Sequence, residues 1–80
     1  MPDLYKPIDC NFYDRLEAAA TRRKVVVIRY VGDKGQEETQ GIIIDLRIAD
    51  GAEWLFLDTG FSLRLDRLIA MDGEMVPGYC

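Results

Sequence analysis

Histidine is missing from this chain altogether. With it go the Ser-His and Cys-His nucleophilic pairs and every metal site built on a histidine ligand. Cysteine is scarce: Cys10 and Cys80 stand near opposite ends, without metal-binding spacing. The pair could close a disulfide on parity alone, but a reducing compartment argues against it, and Cys10 reads as a small buried residue beside a helix start. No apolar run approaches the roughly 20 residues of a membrane span. The opening Met1-Pro2-Asp3-Leu4-Tyr5-Lys6-Pro7 lacks the basic start and apolar stretch of a secretion signal, so a cytoplasmic protein without membrane contact is expected. The glycines sit singly in turns, which leaves no phosphate-binding loop. Glu37 and Glu38 are paired carboxylates, but neighbours on a strand point to opposite faces and cannot share a substrate. This inventory predicts no enzyme, no metal and no cofactor.

Positive charge is also short. Ten Lys and Arg face 14 Asp and Glu, for a net charge of −4. A general nucleic-acid binder needs a cationic footprint to displace phosphate counterions. An acidic domain is better matched to a basic surface, including one that normally holds nucleic acid. What is present is an ordinary globular composition, 49% hydrophobic and 30% charged over 80 residues. That length makes one domain with a thin core.

The pattern divides the chain into an extended arm over 1–10, a helix over 11–23, a β unit over 24–72 and an irregular tail over 73–80. Pro7 biases Lys6 away from helix. Asn11 is placed to cap the helix, with Asp14 three residues on completing something close to a capping box. Arg22, Arg23 and Lys24 suit the negative C-terminal end. The β-branched run from Val25 to Val31 then reads as a strand, and Gly32-Asp33-Lys34-Gly35 as a turn. A second strand runs from about Glu37 to Ile48 with Ile42, Ile44, Leu46 and Ile48 on one face, and Gly41 marks a bend or bulge. Asp50-Gly51 is a hairpin signal. Strands follow at Glu53–Leu57, Phe61–Leu65 and Leu68–Met71. One helix and five hairpin-linked strands can hide both sheet edges by closing into a small antiparallel barrel. The fold class is therefore mainly β, a five-stranded Sm-like or SH3-like barrel with one N-terminal α-helix; periodicity does not separate these from an OB barrel. The expected core includes Leu16, Val27, Ile42, Ile44, Leu55, Leu57, Leu63 and Leu65.

On the helix, Phe12, Leu16 and Ala19 form the apolar face. Tyr13, Asp14 and Glu17 share the neighbouring band, with Asp9 just ahead, and Arg15 and Arg22 fall on the opposite flank. The edge thus carries a tyrosine and two carboxylates. Residue types alone allow a plainer reading, in which Asp14 and Glu17 complement the helix dipole and Tyr13 lies on the barrel with a wet hydroxyl.

The stretch Tyr5-Lys6-Pro7-Ile8-Asp9-Cys10-Asn11-Phe12-Tyr13-Asp14-Arg15-Leu16-Glu17 resembles the opening signature of the Rof family, Y-x-P-I-x-C-x-x-Y-D-x-L-E. Arg64-Leu65-Asp66-Arg67-Leu68 is similar to the family's late R-L-D-K-I segment. The resemblance implies an Sm-like barrel with an N-terminal helix, monomeric when free. It also implies a non-enzymatic bacterial antiterminator that binds the RNA-binding N-terminal domain of the transcription-termination factor Rho and blocks RNA access. Carried over residue by residue, it makes Tyr13, Asp14 and Glu17 the partner contacts, with Asp9 and Asn11 beside them. Phe12 and Arg15 leave the helix less acidic than a pure phosphate mimic. One alternative is an Sm-like RNA-binding module using Arg64, Arg67, Lys24 and Arg29; another is an adaptor for a different basic partner. Little direct nucleic-acid binding is expected on the first reading.

Overall fold

The structure, a computed structural model, describes residues 9–77. Most of the expected arm, including Tyr5 to Ile8 of the opening motif, and the end of the expected tail lie outside the described residues. Helix α1 spans Cys10–Arg22, and its cap is Asp9, whose carboxylate accepts the Phe12 amide at 3.0 Å. Asn11, expected as the cap, sits exposed in the first turn. Aspartate and asparagine cap equally well, and starting at Asp9 lengthens the helix without rotating its apolar stripe. Cys10 is exposed and disulfide-bonded, not the buried thiol expected. The helix ends at Arg23, held at φ 54°, where the amides of Arg23 and Lys24 bond back to the carbonyls of Ala20 and Ala19 at 3.2 Å each, a Schellman-type ending.

Six strands follow: β1 Val25–Gly32, β2 Gly35–Ala49, β3 Ala52–Leu57, β4 Ser62–Arg64, β5 Leu68–Met71 and β6 Glu74–Met75. They form one antiparallel sheet in the order β4-β3-β2-β1-β5-β6, with β4 and β6 as its edges. The expectation of five strands is corrected to six, in a sheet whose ends are not hydrogen-bonded to each other. Asp72-Gly73 is the cause of the sixth. Its φ values of 52° and 83° repeat the 53° and 75° of Asp50-Gly51. Both dipeptides make the tight turn that needs two positive φ angles and returns a strand on its neighbour. The expected tail therefore begins with a strand. Between β4 and β5 a 3-10 turn, Leu65–Arg67, replaces the end of the fourth strand as read from the sequence. This turn packs against both β3 and β1. With Tyr30 and Phe61 in ring contact at 5.0 Å, the β1 and β4 sides of the sheet curl toward each other.

The core lies between α1 and the concave side of the sheet. Phe12, Leu16 and Ala19 meet Val26 and Ile28 of β1, Ile43 of β2, Leu55 and Leu57 of β3 and Leu63 of β4, with Leu65, Leu68 and Met71 closing the floor. Leu16, Leu55, Leu57, Leu63 and Leu65 are core residues as expected, and Val27, Ile42 and Ile44 are not. Val27 and Ile42 are half-buried and Ile44 is 57% exposed, whereas Val26, Ile28 and Ile43 are buried. A bulge explains the shift on β2. Ile43 pairs with Leu57 and Asp45 with Phe56, leaving Ile44 as the extra residue. Before it, Gly41 and Ile43 face inward; after it, Leu46 does, opposite buried Leu55. Gly41 is buried so tightly that a Cβ there would lie 2.9 Å from Asp58 Oδ1, the atom that accepts the Ile42 amide. On β1 a run of four apolar residues carries no phase of its own, so pairing with β2 and β5 sets which two turn inward.

Candidate functional site

Burying Phe12, Leu16 and Ala19 fixes the rotation of α1. That rotation leaves Tyr13 half-buried at the margin of the core and Asp14 and Glu17 exposed beside it. Tyr13 and Glu17 are four residues apart and Asp14 and Glu17 three, so both pairs are neighbours on the helix surface. The helix lies against β2, and β2 and β3 add further negative charge. The Tyr13 phenol is held above its ordinary pKa of 10.0, first by burial and then by the charges of Glu53, Glu17 and Asp45. Three carboxylates from three elements, α1, β2 and β3, therefore act on one half-buried hydroxyl, which stays protonated and able to donate.

Of the residues expected at the site, the structure brings Tyr13, Asp14 and Glu17 to one edge. Asp9 is half-buried and its carboxylate is engaged in capping; Asn11 is exposed one turn ahead of Asp14. Asp45 and Glu53 were not read from the sequence as site residues. Asp45 follows the bulge, so simple alternation along β2 misplaces it, and Glu53 sits opposite Ile48 just past the Asp50-Gly51 turn. Ile48, 73% exposed, adds an apolar residue beside Glu53. Asp45 also accepts Arg47 at 2.5 Å, and the Arg47 guanidinium lies 4.7 Å from the Phe56 ring centre.

The cations are arranged differently. Arg15 forms an ion pair with Glu74 of β6. Lys24 lies 3.8 Å from Asp72, Arg29 3.6 Å from Glu38 and Arg64 3.1 Å from Asp66. Three of the four cations that an RNA track would need thus have a carboxylate neighbour, and no continuous cationic strip is assembled from them. Among the described residues no group of three acidic, cysteine or histidine side chains is placed to hold a metal ion. No helix among them is long and apolar enough to cross a membrane. The chain matches no family model and has no significant match among curated proteins.

Proposed function

We propose that this protein is a Rof-type antiterminator, a non-catalytic cytoplasmic protein that docks on the RNA-binding N-terminal domain of Rho and keeps RNA out. The observation that carries the reading is the exposure of Asp14 and Glu17 beside half-buried Tyr13, along the buried stripe of the helix that bears the Rof-like motif. A surface that holds single-stranded RNA must be cationic and lined with aromatic rings. Carboxylates offered where phosphates would sit compete for the same arginines and lysines. Each charge-assisted hydrogen bond is worth about 1.5–3 kcal/mol where water is excluded. Tyr13 adds a rigid contact with a hydroxyl that remains a donor. Inhibition is steric and electrostatic, with no cofactor. The finer architecture proposed with it is an Sm-like barrel, supported by the packing of the 3-10 turn on both β3 and β1.

The test is titration of purified Rho with Asp14→Lys and Glu17→Lys variants at two salt concentrations, with RNA as competitor and a melting curve for each. Both positions are exposed, so the melting temperature should move little. Binding should weaken by about ten-fold or more per substitution, because each replaces an attractive pair by a repulsive one. Arg22→Ala, on the other flank, is the control; Arg15→Ala is a poorer one because it breaks the pair with Glu74. Near-normal binding in both acidic variants, or an equal loss in the Arg22 variant, would overturn the assignment.

A further inference from the structure

The sheet also holds a groove of about 460 Å³, which no residue of α1 lines. Its walls bring together three aromatic side chains from different parts of the chain: Tyr30 of β1, Trp54 of β3 and Phe61 of the β3–β4 turn. All three are half-buried and line the groove. Tyr30 and Phe61 are tilted at 49° to each other. The Trp54 indole N–H donates to the Ala49 carbonyl at 3.3 Å, which orients its ring. Trp54 also pairs with Arg64 across the sheet.

The charges of the groove are laid out in two groups. Arg64 and Arg67 come from β4 and the 3-10 turn, and Asp33 and Glu37 from the β1–β2 hairpin. Asp66, at 3.1 Å, offsets Arg64, which makes Arg67 the principal cation. Glu37 folds against Gly32, where a Cβ would collide with its carboxylate; even the Glu37 Cδ lies 2.8 Å from that position. A side chain at Gly32 would therefore have to displace the end of the exposed Glu37 side chain from this position.

We propose that this groove binds one nucleotide unit whose base carries an exocyclic amino group. The base stacks on the aromatic side chains that line the groove, as unpaired bases do on aromatic residues generally. Its amino group donates to the Glu37 carboxylate, the pairing that distinguishes cytosine from a base bearing a carbonyl there. The phosphate meets Arg67. Such a ligand accounts for the rings, the cation and the carboxylate together. A purely cationic ligand would leave Arg67 opposed, and a purely anionic one would be repelled by Glu37 and Asp33. With one principal phosphate contact, binding is weak and depends little on salt, unlike a polynucleotide track. The site shares no residue with the acidic helix edge, so its test is independent of the antiterminator reading.

Trp54 is the only tryptophan in the chain, and its fluorescence reports the groove directly. The full-length protein is titrated with CMP, UMP, cytidine and tetracytidylate. CMP should quench Trp54 saturably and bind roughly three- to ten-fold more tightly than UMP, the range of one net hydrogen bond. Glu37→Gln and, separately, Gly32→Ala should shrink the difference between CMP and UMP. Arg67→Ala should weaken CMP toward cytidine and leave cytidine unchanged. All three substitutions lie outside the core, and unchanged melting curves check that each variant is folded. Affinity that rises from CMP to tetracytidylate identifies single-stranded RNA as the source of the nucleotide, and equal affinity identifies a free nucleotide. Unsaturable quenching, equal CMP and UMP affinity, or saturable quenching by an arginine-rich peptide but not by CMP would overturn the proposal.

Discussion

Replacing Ile43 with alanine empties a position that is 1% exposed, whereas the same change at Ile44 trims a side chain that is 57% exposed. The two residues are adjacent, chemically identical and on the same strand, so propensity and unfolded-state effects cancel between them. Truncating a fully buried isoleucine costs about 2–5 kcal/mol, the lost transfer free energy plus the cavity left behind. At Ile44 less than half of the side chain leaves water on folding. Full burial of an isoleucine is worth about 1.5–3 kcal/mol, which scales to about 1 kcal/mol there. A domain of this size holds only about 4–12 kcal/mol in total, so Ile43→Ala brings the protein close to unfolding. Urea denaturation with tryptophan fluorescence measures both variants. Ile43→Val and Ile44→Val serve if the alanine variant does not fold, with about 0.5–1.5 kcal/mol expected for the first and almost nothing for the second. The slope against urea should be unchanged, so the comparison rests on the midpoints. A cost at Ile44 equal to or larger than that at Ile43 would refute the bulge and restore a strand that alternates without interruption.

Two further predictions concern α1. Asp9→Ala should lower stability by about 1 kcal/mol through loss of the bond to the Phe12 amide, and Asn11→Ala by much less, read from the same denaturation curves. Tyr13→Phe should flatten the decline of stability in alkali. Folding raises the phenol's pKa, so the folded state holds this proton more tightly than the unfolded chain does. The stabilisation is complete below the ordinary value of 10.0 and is lost as pH climbs through the raised folded value. Identical alkaline slopes for the two proteins would show that neither burial nor the neighbouring carboxylates raise the Tyr13 pKa.

Local chemistry was enough to read several elements directly. The apolar spacing of Phe12, Leu16 and Ala19 gives the helix and its buried face, and with them the acidic edge of Tyr13, Asp14 and Glu17. Asp50-Gly51 makes its hairpin because two successive positive φ angles suit these residues. Asp72-Gly73 has the same turn chemistry, but the two-residue strand after it is too short to show a period and stood within the expected irregular tail. The alternation of Leu55, Leu57, Leu63 and Leu65 marks four core positions. In each case read directly, one element's own periodicity or turn geometry contains the answer.

Where neighbours decide, the sequence is silent. Val25 to Ile28 and Ile42 to Ile44 are uninterrupted apolar runs, and a run without polar breaks has no phase. Pairing with β5, burial of Gly41 under Asp58 and the bulge at Ile44 choose Val26, Ile28 and Ile43. The same bulge determines that Asp45 joins Glu53 near Tyr13. The groove depends on tertiary structure even more. Tyr30 and Phe61 are separated by the whole of β2 and β3 and their turns, with Trp54 between them on β3, and only the curvature of the sheet brings the three rings to one wall. Short-range spacing encodes which face of an element is apolar, but contacts between distant residues follow from how a whole sheet twists and bends to cover one helix.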